Sequence, residues 1–301
     1  MGAAQAGLKR HPQLKQDPSN TTLTSTLCSI KTMNIELILL ALSPVFLLFV
    51  AVEFARRRRL YDVKDSLTNG VLALMHQGAD AIALLILMPA FYWLYQYRIF
   101  DIQIGIKSVL LAFVLQDFLY YWFHKASHHI HWMWSAHVVH HSSTRLNFST
   151  AFRQSITYPL AGMWLFWMPM IILGFDPITV FAVVALNLAY QFFVHTQAVG
   201  KLGKLELIFN TPSHHRVHHS INTQYIDKNF GGVLIIWDRL FGSFVDEDPN
   251  DPCRYGIRGQ IHTNNVLTIS FHQWKHMFTT AFHTKGIKNK LAVLFSYPTY
   301  K

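Results

Sequence analysis

Apolar positions run almost unbroken from about residue 34 to 55, interrupted by Asn34, Glu36, Ser43, Pro44 and Glu53. About 20 helical residues cross the ~30 Å hydrocarbon layer of a bilayer, so this run predicts a first transmembrane helix. A second span is predicted over about 79–97, with Pro89 inside it and Trp93, Tyr95 and Tyr97 near its far end, where interfacial aromatics belong. The stretch 66–78 before it reads as an interfacial helix leading in. A third span covers about 107–123. Two further apolar stretches, 157–173 and 176–194, read as a helical hairpin with Gly174, Phe175, Asp176 and Pro177 at its tip. After residue 194 the pattern becomes mixed. Residues 233–237 are apolar but too short to span, and 266–284 mix aromatics with His and Lys as a helix lying along a bilayer surface would. The pattern predicts an all-α membrane protein, a multi-pass helical bundle of about four to five spans. Residues 34–194 hold the spans and 195–301 form a cytosolic helical cap. Residues 1–32 are polar and low in order signals and read as a disordered tail. Met33 stands just before the first apolar run, as a native start would, so the membrane domain is taken as 33–301.

Composition agrees with this division. Charged residues make up 14% of the chain, against about a quarter in soluble domains, and the deficit lies in the apolar runs. The formal net charge of +10 suits loops facing an anionic cytoplasmic leaflet. No basic helix or motif points to nucleic acid. Arg56 to Arg59 follow the first span directly and place that end in the cytoplasm by the positive-inside rule. Counting crossings from there brings the loops with Lys125, Arg145, Arg153, Lys201, Lys204 and Arg216 inside as well. Cys28 and Cys253 are too few for an iron–sulfur cluster or a disulfide framework. No glycine-rich dinucleotide or phosphate-binding fingerprint is present. Redox chemistry on this chain would draw its electrons from outside.

The chemistry lies in histidine. His124 and His128 are four apart; His137 precedes His140 and His141 by three and four; His215 precedes His218 and His219 by three and four. Residues three and four apart share a helix face, so each cluster aims two or three imidazoles one way. Three such faces converging hold two metal ions in an all-nitrogen shell. The topology puts all three at the cytosolic end of the spans. His11, His76, His262 and His283 are isolated, and His272 with His276 reads as an exposed helix face. Imidazole sites suit zinc, iron, copper or nickel. At the mouth of a membrane bundle, the most economical use of two metals is oxygen activation by iron against a lipid C–H bond. A metal-handling membrane protein and a zinc hydrolase are the readings from other classes.

The stretches 117–155 and 195–244, which carry the three clusters, resemble the membrane fatty acid hydroxylase and sterol desaturase superfamily, and within it the alkylglycerol monooxygenase branch with its bacterial relatives. The similarity covers roughly residues 40–250. It implies an O₂-dependent diiron monooxygenase that hydroxylates a fatty acyl, alkyl-glycerol ether or sterol-like lipid, or a desaturase using the same site. It assigns His124, His128, His137, His140, His141, His215, His218 and His219 to two iron ions and adds His195, on the helix before the third cluster, with Gln191 one turn earlier. His214 is a further candidate. Asp117, two turns before His124, is expected to support a ligating imidazole from behind. The reductant would be external: tetrahydrobiopterin, a ferredoxin or a b-type cytochrome. The membrane would be a bacterial inner membrane or the endoplasmic reticulum, with the site facing the cytosol.

Overall fold

The computed structural model describes residues 35–298, with side chains from residue 41. The expected tail over 1–32 and the expected start at Met33 lie outside the described residues. Helix α1 (Ile35–Arg56) has 22 residues, about 33 Å at 1.5 Å per residue, and coincides with the first predicted span. Its buried Glu53 anchors three other segments. It accepts hydrogen bonds from the Tyr61 hydroxyl at 2.6 Å, the Phe148 amide at 2.9 Å and the Thr196 hydroxyl.

Helix α2 (Val63–Tyr95) begins at Asp62, whose carboxylate accepts from the Asp65 amide at 3.0 Å. It runs unbroken for 33 residues, so the expected interfacial helix over 66–78 and the span over 79–97 are one element. Gly70 and Gly78 face open space and neither adopts a positive φ, so neither ends the helix. At about 50 Å it is longer than the hydrocarbon layer requires. Helix α3 (Ile106–His129) is separated from α4 (His131–His141) by one extended residue, Ile130. Helix α4 is buried along almost its whole circumference, His131, Trp134, Ala136, Val138 and Val139 included.

The first arm of the predicted hairpin differs from expectation. Residues 157–173 form a short helix α5 (Tyr158–Ala161), a 3-10 turn (Met163–Phe166) and helix α6 (Met168–Leu173). The break falls at Gly162, whose φ of 84° is left-handed. Pro159 and Pro169, each at the start of a helix, remove the amides a continuous helix would need. The second arm forms as predicted: α7 (Pro177–Val194), capped by the Asp176 side chain on the Ile178 amide at 2.9 Å. Beyond it come α8 (Pro212–His218), α9 (Ile236–Phe241), α10 (Val266–His283) and α11 (Ile287–Phe295). Among the described residues there is no strand, only isolated bridges between Phe209 and Leu234 and between Ser220 and Tyr255.

Helices α2, α3 and α7 are long and apolar enough to cross a membrane. Leu74, Ile82, Leu85 and Ile86 of α2 and Ile106, Leu110 and Leu111 of α3 are exposed. An apolar patch of that extent is the surface a bilayer covers. Helix α7 sits inside, with Val180, Phe181, Val184 and Ala185 buried. Its Phe181 and Val184 join a core with Phe91 of α2, Phe123 of α3, Trp167 before α6, and Met170 and Ile171 of α6. Helix α10 turns Ile269, Trp274 and Met277 inward and leaves Leu267, Phe271, Phe278 and Phe282 outside. His272 and His276 are half-buried rather than an exposed face.

Candidate metal centre

Four helix ends meet behind this core. Helix α3 brings His124 and His128 on its last two turns, α4 brings His137, His140 and His141, α7 ends at His195, and α8 brings His215 and His218 with His219 just after it. All nine imidazoles are buried. Their nitrogens fall into two adjoining sets: His124, His128, His137, His141 and His218 in one, and His140, His195, His215 and His219 in the other, each set within 4.8 Å. Stacked His141 and His219 rings, 4.4 Å apart, join the sets.

The tautomers carry the decisive information. A backbone carbonyl can only accept, so a ring bonded to one through Nδ1 has its proton there and a bare lone pair on Nε2. His140 bonds the Arg153 carbonyl at 3.1 Å and His195 the Gln191 carbonyl at 2.6 Å. Their Nε2 atoms nevertheless face each other at 3.0 Å, with no proton between neutral rings. In the other set, His124 bonds the Phe230 carbonyl at 2.8 Å and His218 the Lys228 carbonyl at 2.9 Å, and their rings lie 4.3 Å apart. Further Nε2 pairs stand at 3.1 Å (His124 and His137), 3.1 Å (His137 and His141), 3.2 Å (His141 and His218), 2.9 Å (His195 and His215) and 3.0 Å (His215 and His219). Two nitrogens bound to one ion at 2.0–2.1 Å, subtending 90–110°, stand about 2.9–3.4 Å apart. The donor set fits two transition-metal ions.

Electrostatics favour the ligating form. Burial first, and then the neighbouring imidazoles, hold His137, His141, His215 and His219 well below the usual imidazole range. Burial pushes His140 down to about 4. Neutral rings are what a metal takes.

The supporting residues are partly those expected. Asp117 is fully buried, but it accepts from the amides of Val233 at 2.8 Å and Leu234 at 3.1 Å, from the Trp237 indole at 2.9 Å and from the Asn187 amide at 2.8 Å. These bonds go to no imidazole. Asp117 fixes the 230–237 loop, and the loop's Phe230 carbonyl fixes His124. Asp238 holds the same loop through the amides of Phe230 and Gly231 at 2.8 and 2.7 Å. Gln191 bonds Tyr120 at 2.8 Å and Asn187 at 2.7 Å; it braces α7 and is not among the clustered nitrogens. His214 is buried but stands apart with Glu206 and Asp246, beside the Arg239 charge.

Several supports carried no sequence signal. The Tyr158 hydroxyl lies 2.7 Å from His137 Nδ1, and His76 packs on the Tyr158 ring at 5.7 Å. Arg153, counted in the sequence as a loop charge, is buried. It donates to the Val139 carbonyl at 3.0 Å, to Asn69 at 2.8 Å and to Asp65 at 3.1 Å. Arg216 is likewise buried and pairs with Glu247 at 2.6 Å. Both side chains look like exposed basic residues until the helices they tie together are known.

Comparison with known proteins finds lipid-hydroxylating relatives. Residues 109–243 match the family model described as "Fatty acid hydroxylase". The chain is 40% identical to alkylglycerol monooxygenase of Homo sapiens over 243 residues, covering 80% of this chain and 53% of that protein. It is 46% identical to alkylglycerol monooxygenase of Danio rerio over 189 residues, covering 62% and 41%. It is 32% identical to ornithine lipid hydroxylase OlsE of Rhizobium tropici over 155 residues, covering 51% and 46%. The chain thus spans about half the length of the curated relatives it matches. No solved structure matches it.

Proposed function

We propose that this chain, a relative of the fatty acid hydroxylase family through residues 109–243, is a membrane-bound monooxygenase that hydroxylates a lipid, with one iron in each histidine set. The facing lone pairs of His140 and His195 carry the reading, since two neutral rings accept that approach only around a cation. Iron held there would supply oxygen activation and the oxidation of a C–H bond, with O₂ and external electrons consumed. The chain's own part is to hold nine neutral imidazoles in place and to keep the surroundings dry. Carbonyls of Phe230, Arg153, Gln191 and Lys228 fix four of the rings from behind. Trp134 and Phe230 pack on His128 at 5.2 Å each, and Tyr120 on His124 at 5.4 Å, which narrows the approach of water to a small cavity beside His128, His141, His218 and His219.

An alkylglycerol is the first lipid to test, because the relatives of 40–46% identity carry that name. We place the site at the cytosolic face. Arg56 to Arg59, Arg145, Lys201 and Lys204 are exposed and support that orientation by the positive-inside rule, while buried Arg153 and Arg216 no longer count toward it. The electron donor in this reading is a separate protein or a reduced pterin. The test is expression of the chain in lipid-fed cells, with lipid extracts compared by mass spectrometry against a His140→Ala variant. The expected product is one oxygen heavier than its substrate and absent with the variant. Loss of two hydrogens instead would assign desaturation, and an unchanged lipid profile with iron-loaded protein would overturn the proposal.

A further inference from the structure

The metal reading leaves one segment unexplained, the turn between Ile226 and Phe230. Asp227 and Asn229 both take left-handed backbone conformations, with φ of 58° and 56°, which side chains other than glycine rarely adopt and which Asp and Asn tolerate best. The consequence is that three features of this turn, from residues 227, 228 and 230, face the five-histidine set. The Lys228 carbonyl accepts from His218 and the Phe230 carbonyl from His124. Just before them, the Asp227 carboxylate stands 3.3 Å from Nδ1 of His128. Asn229 pins the turn from the other side, donating to the carbonyls of His214 at 3.1 Å and Val245 at 2.8 Å.

The second oxygen of Asp227 accepts from the Tyr297 hydroxyl at 2.5 Å. Tyr297 lies just beyond α11, in a segment strapped across the start of α4. The His131 amide donates to the Ser296 carbonyl at 2.9 Å, and the His131 ring bonds the Val293 carbonyl at 3.0 Å. The order of bonds is therefore C-terminal segment, Tyr297, Asp227, His128. The four-histidine set has no such link in the same strap: its outward bonds run to Arg153 and Gln191.

We infer that Asp227 is a positioning residue for the ion of the five-histidine set, and that Tyr297 latches it there, so that the strap formed by residues 287–297 controls how firmly that one ion is held. This rests on the metal reading above. It adds that the two ions are unequally tethered, and it names the tether. A carboxylate behind a ligating imidazole fixes the ring and strengthens it as a donor, and loss of such a partner weakens metal retention about 10- to 100-fold.

The experiment uses the full chain in detergent, loaded with iron and challenged with a chelator, with release of each equivalent followed by absorbance. Asp227→Gly removes the carboxylate and suits the left-handed backbone. It should release one equivalent about 10- to 100-fold faster than the parent and leave the other unchanged. Asp227→Asn, which keeps an acceptor oxygen, should recover most of that loss, and Tyr297→Phe should fall between the parent and Asp227→Gly. Parental release rates in Asp227→Gly, or equal acceleration of both equivalents, would overturn the proposal, because general loosening of the fold moves both. If Asp227→Gly fails to fold, Tyr297→Phe decides alone: unchanged release of both equivalents overturns the latch. A parent chain that binds no iron would overturn the metal reading instead, a result told apart before any variant is made.

Discussion

At the scale of single residues, the site depends on how each ring's outward nitrogen is occupied. Four of the nine imidazoles bond a carbonyl through Nδ1, so the fold chooses the tautomer before any metal arrives. Arg153 links this choice to the frame. Its own carbonyl accepts from His140, while its guanidinium ties the end of α4 to Asp65 and Asn69 of α2. Arg153→Met should therefore be far more damaging than loss of a surface arginine. It removes the ion pair with half-buried Asp65 and the donor to the fully buried Asn69 side-chain oxygen, and leaving one buried acceptor unsatisfied costs about 1–3 kcal/mol. Thermal unfolding in detergent should show a large drop, with Arg145→Met, an exposed neighbour, close to unchanged. Equal effects of the two would refute the assignment. The eight clustered histidines could be read from spacing because periodicity reports shared faces, whereas His195 entered through the resemblance alone. The burial of Arg153 and the partners of Asp117 could not, because they depend on segments up to 88 and up to 120 residues away.

At the scale of elements, the 230–237 loop acts as the back wall of the five-histidine set. It approaches α3 and α7 so closely that a Cβ on Gly232 would stand 2.6 Å from the Asn187 side chain, 2.9 Å from Tyr120 and 3.0 Å from Asp117. Gly232→Ala must displace either the loop or that polar cluster, an overpacking cost of about 1–3 kcal/mol. Because Phe230 sits two residues away and holds His124, metal content should fall along with stability. Gly200→Ala, at a position with open space, is the control, and iron per chain by elemental analysis is the measurement. Full iron content in Gly232→Ala would show that the loop does not position His124. The sequence pattern located this loop as an apolar segment too short to span, but not its role. Hydropathy also marked 157–173 correctly as apolar while missing its break, which is a matter of backbone at Gly162 and the two prolines rather than of side-chain polarity. For α2 the error ran the other way: a mixed-polarity stretch, 66–78, was separated from a helix that continues through it.

At the scale of the whole molecule, a bundle with apolar flanks buries nine imidazoles, and that arrangement has a cost that depends on pH. In an unfolded chain each imidazole titrates near 6.5. In the fold, burial holds His137, His141, His195, His215, His218 and His219 well below that, and His140 at about 4. Between the folded and unfolded values the unfolded chain binds more protons, so stability rises with pH through that window. The contribution is fully present above about 6.5 and is lost as pH falls toward the folded values, by up to about 1.4 kcal/mol per group per pH unit. A bound ion competes with those protons for the same nitrogens. Metal-free protein should therefore hold a constant melting temperature above about pH 7 and lose it steeply on acidification below about 6.5. Iron-loaded protein should melt higher and begin its decline at lower pH, where protons displace the metal. Melting curves across pH, with and without iron, test both statements together. A metal-free protein insensitive to acid would mean that water reaches the imidazoles, and the dry, neutral shell on which the lipid-oxidation reading depends would have to be abandoned.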